Sequence, residues 1–257
     1  MEKNALITGA TAGIGYEFAQ LMAADGFGLA LVARDAARLA ERAAFLEKQF
    51  GARVIILAKD LSDPGAPAEI FAWLQREHFP VGTLVNNAGF GVFGRFAETD
   101  LAKELQMLET NMAAPVQLAK LFLKPMLERR EGRILNVAST LAFQPGPWLS
   151  LYSASKAFLF SFSCALAAEL RGTGVSVTVL CPGGTRTEFQ DRAGMQHKTG
   201  FFAPMPARRV AEIGYRAMLR GRPIVVAGWM NKLMVAVSRR SPAMWTARVA
   251  AAVNQNR

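Results

Sequence analysis

Tyr152 and Lys156 stand four residues apart in Tyr-Ser-Ala-Ser-Lys, with Ser139 thirteen residues ahead of them. The surrounding residues 150–171 are rich in Ala, Leu and Phe and close on Gly172, which reads as a helix with a C-terminal glycine stop. Positions four apart stack on one helix face, so the phenol and the ammonium are expected to be neighbours. A phenol with a pKa of about 10 is a poor acid or base at neutral pH. A fixed ammonium ~5 Å away, at an effective dielectric of ~20, stabilises the phenolate by roughly 3 kcal/mol. The expected phenol pKa is then near ~8, useful for proton transfer. Taken alone, the pair has a plainer reading, because Tyr and Lys meet at this spacing on many helix surfaces.

The elements that must hold these residues alternate strand with helix. Residues 4–8 form a short apolar strand running into Gly9-Ala-Thr-Ala-Gly13-Ile-Gly15 and an Ala-rich helix closed by Gly26. Further strands are predicted over residues 28–33, 52–58, 82–86, 132–138, 175–180 and 223–227. Helices are expected after the second and third strands, and a long helical pattern over residues 101–130 is interrupted by Pro115 and Pro125. Nearly continuous apolar strands separated by helices predict an α/β fold, a doubly wound and mostly parallel sheet of seven strands with helices on both faces. With no repeat, low-complexity tract or linker, residues 1–257 are read as one domain.

Gly9, Gly13 and Gly15 lie where a doubly wound fold places its phosphate-binding turn, between the first strand and first helix. Their spacing is not G-x-G-x-x-G, and glycines after a strand are often no more than a turn. The remaining conspicuous polar residues fall at carboxyl ends of predicted strands, the edge where such sheets bind ligands. They are Asp60 after the third, Asn86-Asn87-Ala88-Gly89 after the fourth, Ser139 after the fifth and Pro182-Gly183 after the sixth.

Together these pieces resemble the short-chain dehydrogenase/reductase family, in its short single-domain branch. The matching residues run in the family's order over about residues 4–190: Thr8-Gly-Ala-Thr-Ala-Gly-Ile-Gly15, Asp60, Asn86-Asn-Ala-Gly89, Asn111, Ser139, Tyr152-x-x-x-Lys156 and Cys181-Pro-Gly-Gly-Thr-Arg-Thr187. The resemblance implies a Rossmann fold and hydride transfer between a nicotinamide cofactor and a carbonyl or alcohol carbon. It implies that Tyr152 exchanges the substrate proton, Ser139 hydrogen-bonds the substrate oxygen, Lys156 tunes Tyr152 and holds the ribose, and Asn111 positions water. It places Gly9, Thr11, Gly13, Ile14 and Gly15, Asp60 with Leu61, and Asn87, Ala88 and Gly89 on the cofactor. Tyr152, Lys156, Pro182, Gly183, Thr185 and Thr187 join them there. A hydroxyl donor beside a developing oxyanion and a phenol to neutralise it are also what the chemistry requires.

Relatives that use NAD carry an acid at the end of the second strand, where this chain has Ala33 followed by Arg34. Arginine pairs with a 2′-phosphate, and a missing carboxylate removes the repulsion that would exclude it, so NADP(H) is expected. The competing reading is a solvated Arg34 paired with Asp35. Ala12 also stands where many NADP-using relatives have a basic residue.

Residues 185–222 read as a lid over the substrate, with Phe189, Met195, Phe201, Phe202 and Met205 pointing to a hydrophobic carbonyl compound, as do Phe143, Trp148 and Leu149. The alternative is that these side chains pack in the core. His197 is assigned no role. The chain is 51% hydrophobic and 19% charged, which is globular composition. No apolar run reaches the ~18 residues of a membrane span, strand-like sequence begins by residue 4, and Cys164 and Cys181 lack metal-like spacing. A cytoplasmic homodimer or homotetramer without a nucleic-acid partner is expected. The net charge of +10 is uneven, because residues 206–257 hold ten Arg and Lys against one acid, Glu212. This basic helical extension, residues 228–257, suggests a weak contact with anionic membrane or an acyl carrier; the alternative is an apolar face that closes the substrate pocket or a dimer contact, with its arginines solvated. A catalytically idle nucleotide-binding regulator with the same fold is the alternative to an enzyme; the complete Asn-Ser-Tyr-Lys set argues against it.

Overall fold

The computed structural model describes residues 3–194 and 203–255. Its strands are β1 (Asn4–Thr8), β2 (Gly28–Ala33), β3 (Val54–Ala58), β4 (Thr83–Asn86), β5 (Gly132–Val137), β6 (Val175–Cys181), β7 (Thr185–Arg186), β8 (Met205–Pro206) and β9 (Ile224–Val226). Its helices are α1 (Gly13–Ala24), α2 (Ala36–Phe50), α3 (Ala66–Arg76), α4 (Leu101–Leu108), α5 (Ala114–Glu128), α6 (Ser150–Glu169), α7 (Phe189–Arg192), α8 (Ala207–Leu219), α9 (Trp229–Ser238) and α10 (Ala243–Gln255). Seven strands form one sheet in the order β3-β2-β1-β4-β5-β6-β9, with every neighbouring pair parallel. The order reverses between β1 and β4, which opens a crevice at the carboxyl ends of the strands.

Alternation along each strand supplies both faces of the sheet. Ala5 and Ile7 of β1 pack with Phe18 and Met22 of α1, Leu39 and Leu46 of α2, and Met218 of α8. Leu6, between them, points the other way, into Ile70 and Leu74 of α3 and Leu118 and Phe122 of α5. Truncating a side chain as large and as buried as Phe18 would cost about 3–5 kcal/mol. Asp35 caps α2 by accepting from the Arg38 backbone N–H at 3.0 Å, and Gly51 closes that helix at φ 62°.

Three features depart from the sequence reading. The long helical pattern is not broken at Pro115; it is continuous through a π-helical turn over Glu109–Ala113, which shifts the register ahead of the proline. The proline lacks an N–H to donate, and the wider turn absorbs that loss. The second is a two-stranded parallel pair, β7 with β8, which joins the start of the stretch read as a lid to its middle. Helix α6 is long and apolar enough to cross a membrane by length and composition alone, contrary to the expected absence of such a run. A third of that stretch is buried, with Leu159 and Leu166 turned inward, while Phe158 is exposed.

Candidate active site

A cavity of about 1300 Å³ runs along the carboxyl ends of the strands, from Arg34 and Asp60 at one end to Ser139 and Tyr152 at the other. Every catalytic or cofactor-binding residue expected from the resemblance lines it except Gly15 and Asn111, and so does Arg34.

At the glycine-rich end, Thr8 organises the turn. Its hydroxyl accepts from the Asn87 and Ala88 N–H groups at 3.1 and 3.0 Å, and the Asn87 amide donates to Thr8 and Gly9 carbonyls. Gly9 sits at φ 66°, and a Cβ there would come within 2.9 Å of the Ala88 backbone. A Cβ on Gly15 would lie 2.3 Å from the Gly9 carbonyl oxygen, so Gly15 serves close packing behind the turn and does not face the cavity. Thr187 closes over Gly13 from the far side, its methyl 2.8 Å from where a Cβ would be.

At the other end, Ser139 follows β5, and its hydroxyl lies beside the Tyr152 phenol on the cavity wall, where it favours the phenolate. That hydroxyl also accepts from the Leu141 N–H at 3.1 Å, which fixes its direction. Lys156 donates to the Val137 carbonyl at 3.0 Å, with its nitrogen 5.7 Å from the Tyr152 ring centre. Burial decides the charges here. It pushes the Tyr152 phenol up to about 12 and the Lys156 ammonium down to about 8. The sequence expectation of a phenol near ~8 is therefore corrected, because it counted the attraction of the ammonium and left out the desolvation of both groups.

Asn111 lies in the π turn, beneath the cavity. Both of its amide hydrogens are committed, to the Phe90 carbonyl at 3.0 Å and the Ser155 hydroxyl at 3.1 Å, and its oxygen accepts from the Phe90 N–H. A Cβ on Gly89 would fall 2.9 Å from the Asn111 oxygen and 3.2 Å from the Lys156 nitrogen, so glycine keeps both polar groups close to the cavity floor.

Arg34 reaches Asp60 at 3.7 Å rather than Asp35, whose carboxylate is occupied in capping α2. Sequence reasoning missed Arg38, whose guanidinium grips both oxygens of Glu188 at 3.1 and 2.7 Å and ties the segment after β7 to α2. It also missed Asn231, which packs against Gly183 and donates to the Ala227 carbonyl at 2.6 Å. Only a pattern linking distant segments could have found either. Leu149, Phe189 and Met205 line the cavity as expected, but Phe143 packs edge-to-face with Phe160, ring centres 4.6 Å apart, and neither it nor Trp148 faces the cavity. Met195, His197, Phe201 and Phe202 lie outside the described residues.

The residues present fit a dinucleotide. Gly9, Gly13, Gly89 and Gly183 present bare backbone to the cavity, and the cavity spans the switch point of the sheet.

The family model for short chain dehydrogenases matches residues 3–198. Ketoacyl reductase HetN of a Nostoc species is 32% identical over 93% of this chain and 85% of its own. Sulfoacetaldehyde reductase 2 of Chromohalobacter salexigens is 34% identical over 96% of this chain and 98% of its own. A short-chain dehydrogenase from Sphingobium yanoikuyae, solved in complex with NADPH, shares the fold with a TM-score of 0.84 and 30% identity, over 92% of this chain and 93% of that one.

Proposed function

This chain belongs to the short-chain dehydrogenase/reductase family, and from that premise we propose that it is an NADP-dependent oxidoreductase acting on the carbonyl or alcohol carbon of a hydrophobic substrate. The observation that carries the reading is that Ser139, Tyr152 and Lys156 meet on one wall of the cavity, all three buried. When bound, a nicotinamide cofactor supplies or accepts the hydride. In reduction, Ser139 donates to the substrate oxygen as charge develops on it, and Tyr152 gives its proton to that oxygen. In oxidation Tyr152 takes the proton back. Lys156 presents a donor toward the ribose side of the site, and Asn111 holds the Phe90 segment and α6 at fixed separation. The glycine turn, Asn87 to Gly89, and Pro182 to Thr187 hold the cofactor, with residues 185–222 closing over it.

Arg34 supports the choice of NADP(H), since no carboxylate stands at the end of β2 and its guanidinium is free to leave the exposed Asp60 contact for a phosphate. Phe90, Phe93, Leu149, Phe189 and Met234 on the cavity wall support a hydrophobic substrate. We assign the exposed Leu101, Leu105 and Phe158, on the neighbouring helices α4 and α6, to contact with a second copy in a homo-oligomer. An absorbance screen of NADPH consumption against ketones, aldehydes and 3-oxoacyl thioesters tests the reading. Turnover of a hydrophobic carbonyl that requires Tyr152 supports it. Tight NADPH binding without turnover of any carbonyl would instead favour an idle nucleotide-binding protein.

A further inference from the structure

Helix α9 has two unlike faces. Met230, Asn231 and Met234 line the cavity, Trp229 also borders it, and Val235 is buried. On the outside, Trp229, Leu233 and Val237 form a stripe at i, i+4, i+8 and are exposed by 74%, 58% and 49%. The start of α10 continues the patch with Met244 and Trp245, exposed by 68% and 54%, while Thr246 and Ala250 face inward. The sequence left open whether this apolar face is core; the structure turns it outward.

The charge around the patch has one sign. Lys232, Arg239, Arg240 and Arg248 are exposed beside it, and none of them makes an ion pair among the described residues. The single acid of residues 206–257, Glu212, is held by Arg208 and Arg209 at 3.4 and 3.3 Å. Behind α9, Lys232, Arg239 and Arg240 border a second cavity of about 510 Å³ whose other walls are Val226, Val235 and Ala236. A second copy seated on this face would set cation against cation. An anionic leaflet answers both features at once, with headgroup phosphates for the cations and an interface for the Trp and Leu side chains. At 10 and 13 residues, neither helix is long enough to cross a bilayer, so both would lie in its plane.

We propose that the outer face of α9 and the start of α10 dock on the surface of an anionic lipid bilayer, setting the outer wall of the substrate cavity against the membrane. Each cation near an anionic leaflet strengthens partitioning about fivefold, and salt weakens it.

The test is co-sedimentation of the full chain with phosphatidylcholine vesicles, with and without phosphatidylglycerol, at low and high salt. The expected result is binding to anionic vesicles at low salt, a loss of roughly tenfold or more at high salt, and little binding to neutral vesicles. The variant K232S/R239S/R240S is expected to bind about 10²-fold more weakly. L233S/V237S/W245S, and Leu233→Ser alone should the triple variant unfold, is expected to lose binding without loss of charge. None of these residues lines the catalytic cavity, so reduction of a water-soluble carbonyl in the same samples reads the enzymatic assignment separately. Absence of binding to anionic vesicles at low salt overturns the proposal. So does an L233S/V237S/W245S variant whose sedimentation shows that a dimer has become a monomer, which would assign the face to a second copy. Binding of an acidic carrier protein in place of vesicles would overturn it as well.

Discussion

The inner wall of the cavity hangs from the parallel sheet, whereas the outer wall is made of segments that follow β6 and touch the rest of the chain at few points. Ser139 extends β5, and Tyr152 and Lys156 stand on α6. That helix is fastened twice from below, by Asn111 to the Ser155 hydroxyl and by Asn136 to the Ser163 hydroxyl at 2.8 Å. Asn136 in turn accepts from Asn86 at 2.9 Å, so β4, β5 and α6 share one buried chain of polar side chains. On the outer wall, α9 is held by Ser238 donating to Gln144 at 2.8 Å and by Asn231 bonding to Ala227. Proton transfer tolerates little displacement of its donor, which favours a wall with redundant buried hydrogen bonds. Admission of a bulky apolar compound favours a wall that can shift. Chemistry and selectivity are thus assigned to different parts of the chain.

The largest effect that could break this division comes from Tyr152→Phe. The ring is kept and the transferable proton is lost, so NADPH binding should persist while kcat falls by roughly 10²–10⁴-fold. Near-normal kcat on a good substrate would remove the chemistry from the inner wall altogether.

Next in size is the pH dependence. Oxidation needs the Tyr152 phenolate, and with burial holding the phenol up at about 12, the ionised fraction is small at neutral pH and rises with pH. Oxidative kcat/KM should climb about tenfold per pH unit between about pH 6 and about pH 8. Reduction uses the protonated phenol, which is fully populated across that range, so its kcat/KM should stay flat. An oxidative plateau below about pH 8 would mean that Lys156 does hold an ionised Tyr152, as the spacing of the two residues alone suggests.

Arg34→Ala addresses the far end of the cavity. NADPH binding should weaken by roughly 1.5–3 kcal/mol, a charge-assisted contact, while NADH binding hardly changes. Titration of both cofactors decides it, since equal losses would make Arg34 a structural partner of Asp60 and no reader of phosphate.

What was legible in the sequence follows the same division. All seven strands of the main sheet were readable as continuous apolar runs, which burial on both faces explains for the inner strands, while β3 and β9 at the edges are part-exposed. Only the ends differ, with residues 52, 53, 82, 138, 223 and 227 outside the observed strands and Cys181 added to β6. Residues at the strand ends were readable because the sheet brings every carboxyl end to one edge. The fastenings of α6 were not, since Asn136 and Ser163 meet across 27 residues with no periodic signal. The Arg38–Glu188 grip spans 150 residues and is equally silent. The sign of the Tyr152 shift depends on burial, which spacing does not report. For α9, the sequence pattern shows an apolar face but not whether it turns inward or out.

The smallest effects separate the walls most cleanly, because they set stability against substrate binding. Asn136→Ala removes the link between the Asn86 amide and the Ser163 hydroxyl and leaves each with only its remaining partner, the Pro115 and Leu159 carbonyls. It should cost about 1–3 kcal/mol in stability, with a fall in kcat as α6 loosens. Met234→Ala shortens a half-buried side chain on the cavity side of α9, where the helix can settle into the space. Its stability cost should stay below about 1 kcal/mol, with the effect appearing as a change in KM for bulky substrates at nearly constant kcat. Thermal melts and steady-state kinetics on the two variants provide the comparison. If Met234→Ala lowers kcat as much as Asn136→Ala does, the outer wall takes part in positioning the reacting groups. The two walls would then act as a single unit, and closure of α9 would belong to the chemical step.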